Sequence, residues 1–308
     1  MKIILGTRGS QLALAQAELV KQALERLHEK LDVEVRVIKT TGDQRMDIRL
    51  SEPGPLIGKG LFTKELEEAL LREEIDVAVH SLKDLPTNLP SGLELGGVLA
   101  RHDPLDLLIS KTGRTLNELP LNATVATSST RRARQLVFRR PDIFIADVRG
   151  NVTTRVEKLL RDDSWNSIIL AKAGLERLGF RLEQGLMEFE SQPLFVSDLI
   201  EILPAVGQGA IGLEVAMHNS VVKSFVSKIN DPQSWYCVTA ERELLKLLGG
   251  GCQTPLGVRT RLQGENLYFE AILFEKGIRP MTGTVSGVFP SPAAAATALL
   301  DKIYGKRR

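Results

Sequence analysis

Val77–Pro86 reads VAVHSLKDLP. Val77, Ala78 and Val79, with Asp76 just before them, predict a short buried strand. The run then breaks into polar residues: His80, Ser81, Lys83 and Asp84. Pro86 forbids a regular continuation and pushes Leu85 towards extended backbone. A buried strand that opens at its end into a basic residue beside a carboxylate is where open α/β sheets place their chemistry. The plainer alternative is a capped turn with Lys83 and Asp84 both solvated.

Working outward, the same unit recurs: an apolar run, a polar loop, a helix. Lys2–Leu5 predicts a first strand, and Gly6–Ser10 a loop. Ser10 can cap a helix running to about Leu27, with Leu12, Ala15, Leu19, Ala23 and Leu27 near one face. A loop at a helix start presents N–H groups to an anion, and Arg8 adds a positive charge there. Read alone, Arg8 is better explained as a surface residue before an ordinary cap. Asp32–Lys39 alternates like a half-buried strand. Thr40–Pro55 has the character of a mobile loop. Lys59, between Gly58 and Gly60, can reach a phosphate or carboxylate, and a helix is predicted from about Thr63 to Arg72. The acids Glu65, Glu67, Glu68, Glu73 and Glu74 read as a solvated helix face.

Strands are predicted at Leu93–Leu99, Asp106–Ile109 and Val125-Ala126. The last ends at Thr127-Ser128-Ser129-Thr130-Arg131-Arg132, where hydroxyls precede a helix through about Phe138. Helix-start N–H groups, hydroxyls and paired guanidiniums form a good anion-binding set. Ile143–Val148 predicts another strand, ending at Arg149-Gly150-Asn151 before a helix that carries Arg155. Between Arg131 and Arg161 there are eight Arg and one Lys against three acids, a net of +6. Arg134, Arg139, Arg140 and Arg161 read as surface residues. Arg131, Arg132, Arg149 and Arg155 sit at strand ends, where Arg suits bidentate carboxylate recognition. Nucleic acid is the rival ligand, but stacking aromatics are nearly absent here.

Ser167–Ala171 predicts a strand, and Ala173–Leu178 a short helix containing Arg177. Phe180–Ile202 reads as a connection with some helix. Gly207, Gly209 and Gly212 spell Gly-x-Gly-x-x-Gly without a strand–turn–helix frame, so a hinge or close backbone packing is favoured over a dinucleotide site. Gln233–Leu248 predicts a helix stopped by Gly249-Gly250-Gly251. Cys237 lies on that helix and fits a small buried hydrophobe, whereas Cys252 falls on an adaptable loop, where a thiolate can hold a group covalently. Gly257–Leu262, Leu267–Phe274 and Pro280–Val285 predict a small antiparallel sheet. A helix from about Pro292 to Tyr304, with Ser291 as cap, closes an α+β segment.

Composition narrows the class. The chain has 308 residues, enough for two or three domains, at 43% hydrophobic and 25% charged. A formal charge of +2 argues against a globally basic nucleic-acid binder. Met1-Lys2-Ile3 runs straight into a strand with no signal-peptide pattern, and no apolar stretch reaches the roughly 18 residues of a membrane span. Two cysteines fit a reducing cytoplasm. Four His without Cys-x-x-Cys or His-Glu-x-x-His spacing leave no metal site visible. No nucleic acid and no membrane is expected as a partner.

Taken together, these stretches resemble the hydroxymethylbilane synthase family, also called porphobilinogen deaminase. The match runs over nearly the whole chain in seven ordered motifs. They are Thr7-Arg8-x-Ser10-x-Leu12-Ala13-Leu14, Gly58-Lys59-Gly60-Leu61-Phe62, His80-Ser81-x-Lys83-Asp84-x-Pro86, Thr127-Ser128-Ser129-x-Arg131-Arg132, Arg149-Gly150-Asn151-Val152, Leu203-Pro204-Ala205-Val206-Gly207-Gln208-Gly209 and Gly250-Gly251-Cys252-Gln253-x-Pro255. Some family members carry a second Lys where this chain has Pro55, and the Phe180–Ile202 connection looks longer than the bacterial pattern.

The resemblance implies an α/β protein. Two α/β domains are like those of periplasmic binding proteins, and a small α+β C-terminal domain follows. It implies a discontinuous domain 1 over 1–102 and 207–222, domain 2 over 103–203 and domain 3 over 226–308, the last bearing the cofactor loop. It implies one covalent dipyrromethane per chain, joined by a thioether to Cys252. The implied reaction joins four porphobilinogens head to tail, losing ammonia at each step, and frees the linear product with water. Loss of ammonia leaves an azafulvene-like cation, and Asp84 matches the family's catalytic Asp. By motif, Lys83, Asp84, Thr127, Ser129, Arg131, Arg132, Arg149 and Gly150 hold the cofactor with Cys252. Arg8, Ser10, Lys59, Arg149, Arg155 and Arg177 meet substrate or growing chain. A cytoplasmic monomer is expected. The alternative is a non-catalytic two-lobed anion-binding protein, which leaves Gly249-Gly250-Gly251-Cys252 and Asp84 without a role.

Overall fold

A computed structural model describes residues 1–27, 31–44, 62–251, 253–275 and 279–305. In chain order the elements are β1 (Lys2–Thr7), α1 (Gln11–Leu27), β2 (Asp32–Val37), α2 (Thr41–Gln44), α3 (Lys64–Leu71), β3 (Val77–Ser81), β4 (Leu93–Val98), β5 (Asp106–Ser110), β6 (Thr124–Ala126), α4 (Thr130–Arg139), β7 (Phe144–Ala146), α5 (Val152–Arg161), β8 (Ser167–Ala171) and α6 (Lys172–Arg177). There follow β9 (Leu186–Phe189), β10 (Gln192–Asp198), β11 (Ile211–Ala216), α7 (Ser220–Ile229), α8 (Pro232–Leu247), β12 (Leu256–Gln263), β13 (Asn266–Leu273), β14 (Met281–Gly287) and α9 (Pro292–Ile303).

These elements make two α/β domains and a small β-rich C-terminal domain. The first sheet has the order β2-β1-β3-β11-β4, the second β7-β6-β8-β5-β10-β9 and the third β12-β13-β14. The chain divides into two compact units. One is Met1–His102, Gly207–Cys252 and Phe289–Ala296, and the other is Asp103–Val206, Gln253–Val288 and Thr297–Arg308.

In the first unit, β1 pairs in parallel with β2 and β3, while β11 runs antiparallel between β3 and β4. Val77 to His80 are all buried, the continuous pattern of a central strand covered on both faces. The strand therefore runs on to Ser81, two residues past the apolar run. His80 belongs to it rather than to the loop, and its Nε2 lies 2.9 Å from Glu214 Oε2 on β11. Pairing of the two polar groups meets the cost of placing them in a sheet core.

Two further expectations change here. The buried stripe of α1 is Ala13, Gln16, Ala17, Val20 and Leu24, not the face through Leu12 and Leu27. Leu27 stays exposed at the helix end. Glu67 is not part of a solvated face. It is buried on α3, where burial, with the Glu214 carboxylate behind it, pushes its carboxyl above the ordinary range against the pull of Thr63 and His80.

α8 packs into this unit through Val238, which shares a cluster with Leu82, Leu85, Val98 and Ala210. The apolar face of α8 finds these partners beside β3 and β4. The Gly-x-Gly-x-x-Gly run serves close packing: a Cβ on Gly212 would lie 2.8 Å from Leu82 Cδ1.

In the second unit, β6 pairs in parallel with β7 and β8, and β5 runs antiparallel to β8 and β10. Phe180–Ile202 holds no helix. It forms the antiparallel pair β9–β10, joined at Glu190-Ser191, both with positive φ, as a tight hairpin turn requires. Pro193 sits on the outer half of β10, beyond the residues paired with β5, so its missing N–H costs that ladder nothing. The third sheet packs on this unit. Val258 N donates to Pro204 O at 2.8 Å, and the Phe138 and Phe274 rings meet edge-on at 6.1 Å. α9 covers the sheet through Leu299 and Ile303, which approach Gly283 closely.

Candidate functional site

The residues expected at the site fall into two sets. Arg8, Ser10, Lys83 and Asp84 belong to the first unit. Thr127, Ser129, Arg131, Arg132, Arg149, Gly150, Arg155 and Arg177 belong to the second. Lys59, Pro55 and Cys252 lie outside the described residues.

In the first unit, β3 ends in one 3-10 turn, Leu82–Asp84. Leu82 N donates to Ala210 O at 3.0 Å, and Leu85 N to Leu82 O at 3.2 Å. Leu82 and Leu85 are buried, and Lys83 and Asp84 between them are half-buried. Apolar anchors on both sides thus fix the backbone that carries the polar pair. The two carbonyls after it are also held: Arg242 of α8 donates from Nη1 to Leu85 O at 2.9 Å and from Nη2 to Pro86 O at 2.7 Å.

At the end of β1, Ser10 Oγ accepts from Ala13 N at 3.2 Å and caps α1 as its position predicts. Arg8 is already engaged. Its Nε donates to Asp43 Oδ2 at 3.2 Å, its Nη2 pairs with Asp43 Oδ1, and its guanidinium lies 4.1 Å from the Phe62 ring centre. Burial opposes ionisation of Asp43, but the Arg8 guanidinium and the Thr40 hydroxyl outweigh it and hold the carboxyl below its usual range.

In the second unit, two neighbouring strand ends form one loop cluster. Ser129 caps α4 by accepting from Arg132 N at 3.4 Å, and Asn151 caps α5 by accepting from Thr154 N at 2.9 Å. Ser128 ties the loops together, donating to Val148 O at 2.5 Å and accepting from Val148 N at 3.1 Å. Thr127 is buried beneath them. Gly150 has φ of +115°, and a Cβ there would fall 2.7 Å from Thr154 Cγ2, so only glycine fits. Arg149 Nε bonds Asp147 Oδ2 at 3.1 Å, and Arg155 Nε bonds Gly150 O at 2.8 Å. Arg177 on α6 is half-buried, and burial pushes its guanidinium down to about 10, Glu176 opposing.

Arg131 and Arg132 are buried rather than displayed at the surface. Arg132 Nε and Nη2 both reach Asp106 Oδ1, at 3.1 and 2.7 Å, and Nη1 reaches Ile169 O at 2.9 Å. Arg131 Nη1 reaches Asp106 Oδ2 at 2.8 Å and Leu203 O at 2.6 Å. Burial alone would raise the Asp106 pKa, yet the two guanidiniums force it far below the carboxylate range. One carboxylate between two buried cations leaves a net positive charge, and Arg131 Nε is buried without a hydrogen-bond partner. Such a set fits an anionic cofactor.

The chain end of this cluster is informative. Thr130 Oγ1, in the first turn of α4, donates to Gln253 O at 3.0 Å. Gln253 is the chain neighbour of Cys252. On the other side of Cys252, α8 stops as expected. Gly249 N bonds Lys246 O at 2.9 Å and Gly250 N bonds Leu245 O at 3.0 Å, with Gly249 at φ of +62°, a Schellman ending.

Sequence reading missed Asp106, Arg101, Glu241 and Arg242. Asp106 opens a strand that is otherwise apolar, and an excess of arginines nearby asks for a carboxylate. Glu241 is a fully buried acid within α8, paired with Arg101 Nη1 at 2.7 Å. Among the described residues no cluster of three or more metal-binding side chains occurs, and no helix is long and apolar enough to cross a membrane.

Known proteins resemble this chain over most of its length. Residues 3–224 match the family model "Porphobilinogen deaminase, dipyromethane cofactor binding domain", and residues 235–297 match "Porphobilinogen deaminase, C-terminal domain". The porphobilinogen deaminase of Syntrophobacter fumaroxidans is 45% identical over 84% of this chain and 80% of its own. That of Geobacter sulfurreducens is 42% identical over 98% and 91%. That of Moorella thermoacetica is 42% identical over 99% and 94%. With the family model covering well over half its length and such relatives aligned almost end to end, the chain belongs to the porphobilinogen deaminase family.

Proposed function

We propose that the protein is a transferase that joins four porphobilinogen units head to tail on a covalent dipyrromethane primer and releases hydroxymethylbilane for porphyrin and haem synthesis. The observation that carries this is the Thr130–Gln253 hydrogen bond. It ties the neighbour of Cys252 to the helix start bearing two buried guanidiniums and an unpartnered Nε.

Cys252 is the attachment point. The bound dipyrromethane supplies a free pyrrole position as acceptor for the first substrate unit. Lys83, Thr127, Ser129, Arg131, Arg132, Arg149 and Gly150 hold its carboxylates, with Asp106 fixing the two central guanidiniums from behind. Arg8, Ser10, Lys59, Arg149, Arg155 and Arg177 receive the acetate and propionate groups of porphobilinogen and the growing chain. Arg8 exchanges Asp43 for a substrate carboxylate. Asp84 is catalytic. When the C–N bond of porphobilinogen's protonated aminomethyl group breaks and ammonia leaves with the electron pair, a cation spreads over the pyrrole and a fixed carboxylate stabilises it until the acceptor carbon bonds to the methylene and gives up its proton.

The domain division over 1–102 with 207–222, 103–203 and 226–308 belongs to the same proposal. So does a cytoplasmic monomer: the two cysteines suit a reducing compartment, and each chain carries its own attachment cysteine. A non-catalytic anion-binding protein is not favoured by the family assignment. The test is incubation of the purified protein with porphobilinogen, following ammonia, linear tetrapyrrole and intact mass. A protein that carries the cofactor mass yet consumes no porphobilinogen overturns the enzyme reading.

A further inference from the structure

α8 places consecutive side chains on two backbone segments. Glu241 accepts from Gly207 N at 2.8 Å and pairs with Arg101, whose Nε donates to Gln208 O at 2.7 Å. Arg242 donates to Leu85 O and Pro86 O, the two carbonyls directly after Lys83-Asp84. This stretch lies beyond the end of β3, so no sheet ladder satisfies those carbonyls. Pro86 has no N–H with which to anchor itself. The planar guanidinium answers both carbonyls at once.

Arg242 shares a helix face with Trp235, Thr239 and Lys246, spaced four, three and four apart, and that face lines one groove with Leu89 and Leu93. Leu82 and Leu85 of the same turn are packed in the cluster that contains Val238 of α8. The Asp84 turn is therefore gripped by one helix in two ways, by apolar packing and by a charged fork. Five residues beyond Arg242 that helix ends, five positions before Cys252 in the sequence.

We propose that Arg242 is a positioning residue for Asp84, holding the catalytic turn against the helix that leads into the cofactor attachment loop. This rests on the reading of Asp84 as the catalytic carboxylate. Arg242 binds the turn through the carbonyls of Leu85 and Pro86. It acts by fixing the two peptide units that follow the carboxylate. A displacement of about 1 Å at such a group is enough for roughly a 10²-fold loss.

The test uses holo-protein, with cofactor mass verified for each variant. Arg242→Ala should lower kcat roughly 10- to 10²-fold with little change in KM, measured well below its melting temperature. Arg242→Lys keeps the charge but not the fork and should recover only part of the loss. The decisive measurement is the cycle with Asp84→Asn. In that background Arg242→Lys or Arg242→Ala should cost almost nothing more, because the group being positioned is gone. Full additivity overturns the proposal, as does a parental kcat in Arg242→Ala. If Arg242→Ala does not fold, the Arg242→Lys cycle decides alone: a parental kcat there, or additivity, overturns it. A parental rate in holo Asp84→Asn instead removes Asp84 from the mechanism, which is a different failure from an inert Arg242 beside an essential Asp84.

Discussion

Arg132 delivers two donors to a single oxygen of Asp106, Nε at 3.1 Å and Nη2 at 2.7 Å, while the other oxygen is left to Arg131. The arrangement is fully buried and spans β5 and α4. Breaking such a pair leaves uncompensated charge in the core, which costs about 3–5 kcal/mol. Asp106→Asn should therefore lower denaturant stability by about that amount and yield protein without the cofactor mass. Because the folded carboxyl titrates below its unfolded value of about 3.9, its contribution is complete above that pH and is lost as acid carries the pH down through the folded value. Acid unfolding should thus separate parent from variant less and less below about pH 4. A variant as stable as the parent at pH 7 would refute the structural role.

Glu67 has the opposite sign. Burial raises its folded pKa, so its neutral form adds stability at low pH that is lost as pH rises through the folded value. Glu67→Gln should match the parent near pH 4 and become relatively more stable towards pH 8. Urea midpoints at several pH values measure this, and a constant gap between the two proteins would contradict it.

Cys252→Ser should be lighter than the parent by two linked pyrrole units beyond the substitution itself. Cys237→Ser should keep the addition, since Cys237 is buried on α8. Intact-protein mass spectrometry reads both. An active parent at bare sequence mass would dismiss the covalent cofactor.

Asp84→Asn keeps size and hydrogen-bonding capacity but removes the charge. Porphobilinogen consumption by holo-protein should slow by at least about 10²-fold, since one well-placed electrostatic contact is worth about 10²–10³ in rate. Asp84→Glu should be milder. An unchanged rate with full cofactor occupancy would show that the carboxylate plays no electrostatic part.

Gly150→Ala forces a side chain into positive φ and against Thr154, at a cost of about 1–3 kcal/mol. The loop bearing Arg149 should shift, lowering stability and raising KM for porphobilinogen. Thermal melts and initial rates check this, and a neutral substitution would mean that the loop adapts without moving Arg149.

What the amino-acid sequence determines by itself is local. The apolar run at Val77, the caps at Ser10 and Ser129, the glycine stop after α8 and the hairpin strands of the third sheet all depend on residues a few positions apart. The ordered motifs likewise name the family without any coordinates. Tertiary structure decided which polar groups are buried and who neutralises them. His80 reads as a loop residue until β11 returns beside β3 and brings Glu214 across from 134 positions away. Glu67 reads as solvated until the same strand arrives behind it. Asp106 reads as the start of a strand until α4 lays two guanidiniums on it. Arg242 reads as one more helix charge until its helix docks against the Asp84 turn. The physical reason is common to all four. Helix caps and strand periodicity arise from bonded neighbours, whereas the cost of burying a charge is settled by whichever segment the sheet order places next to it.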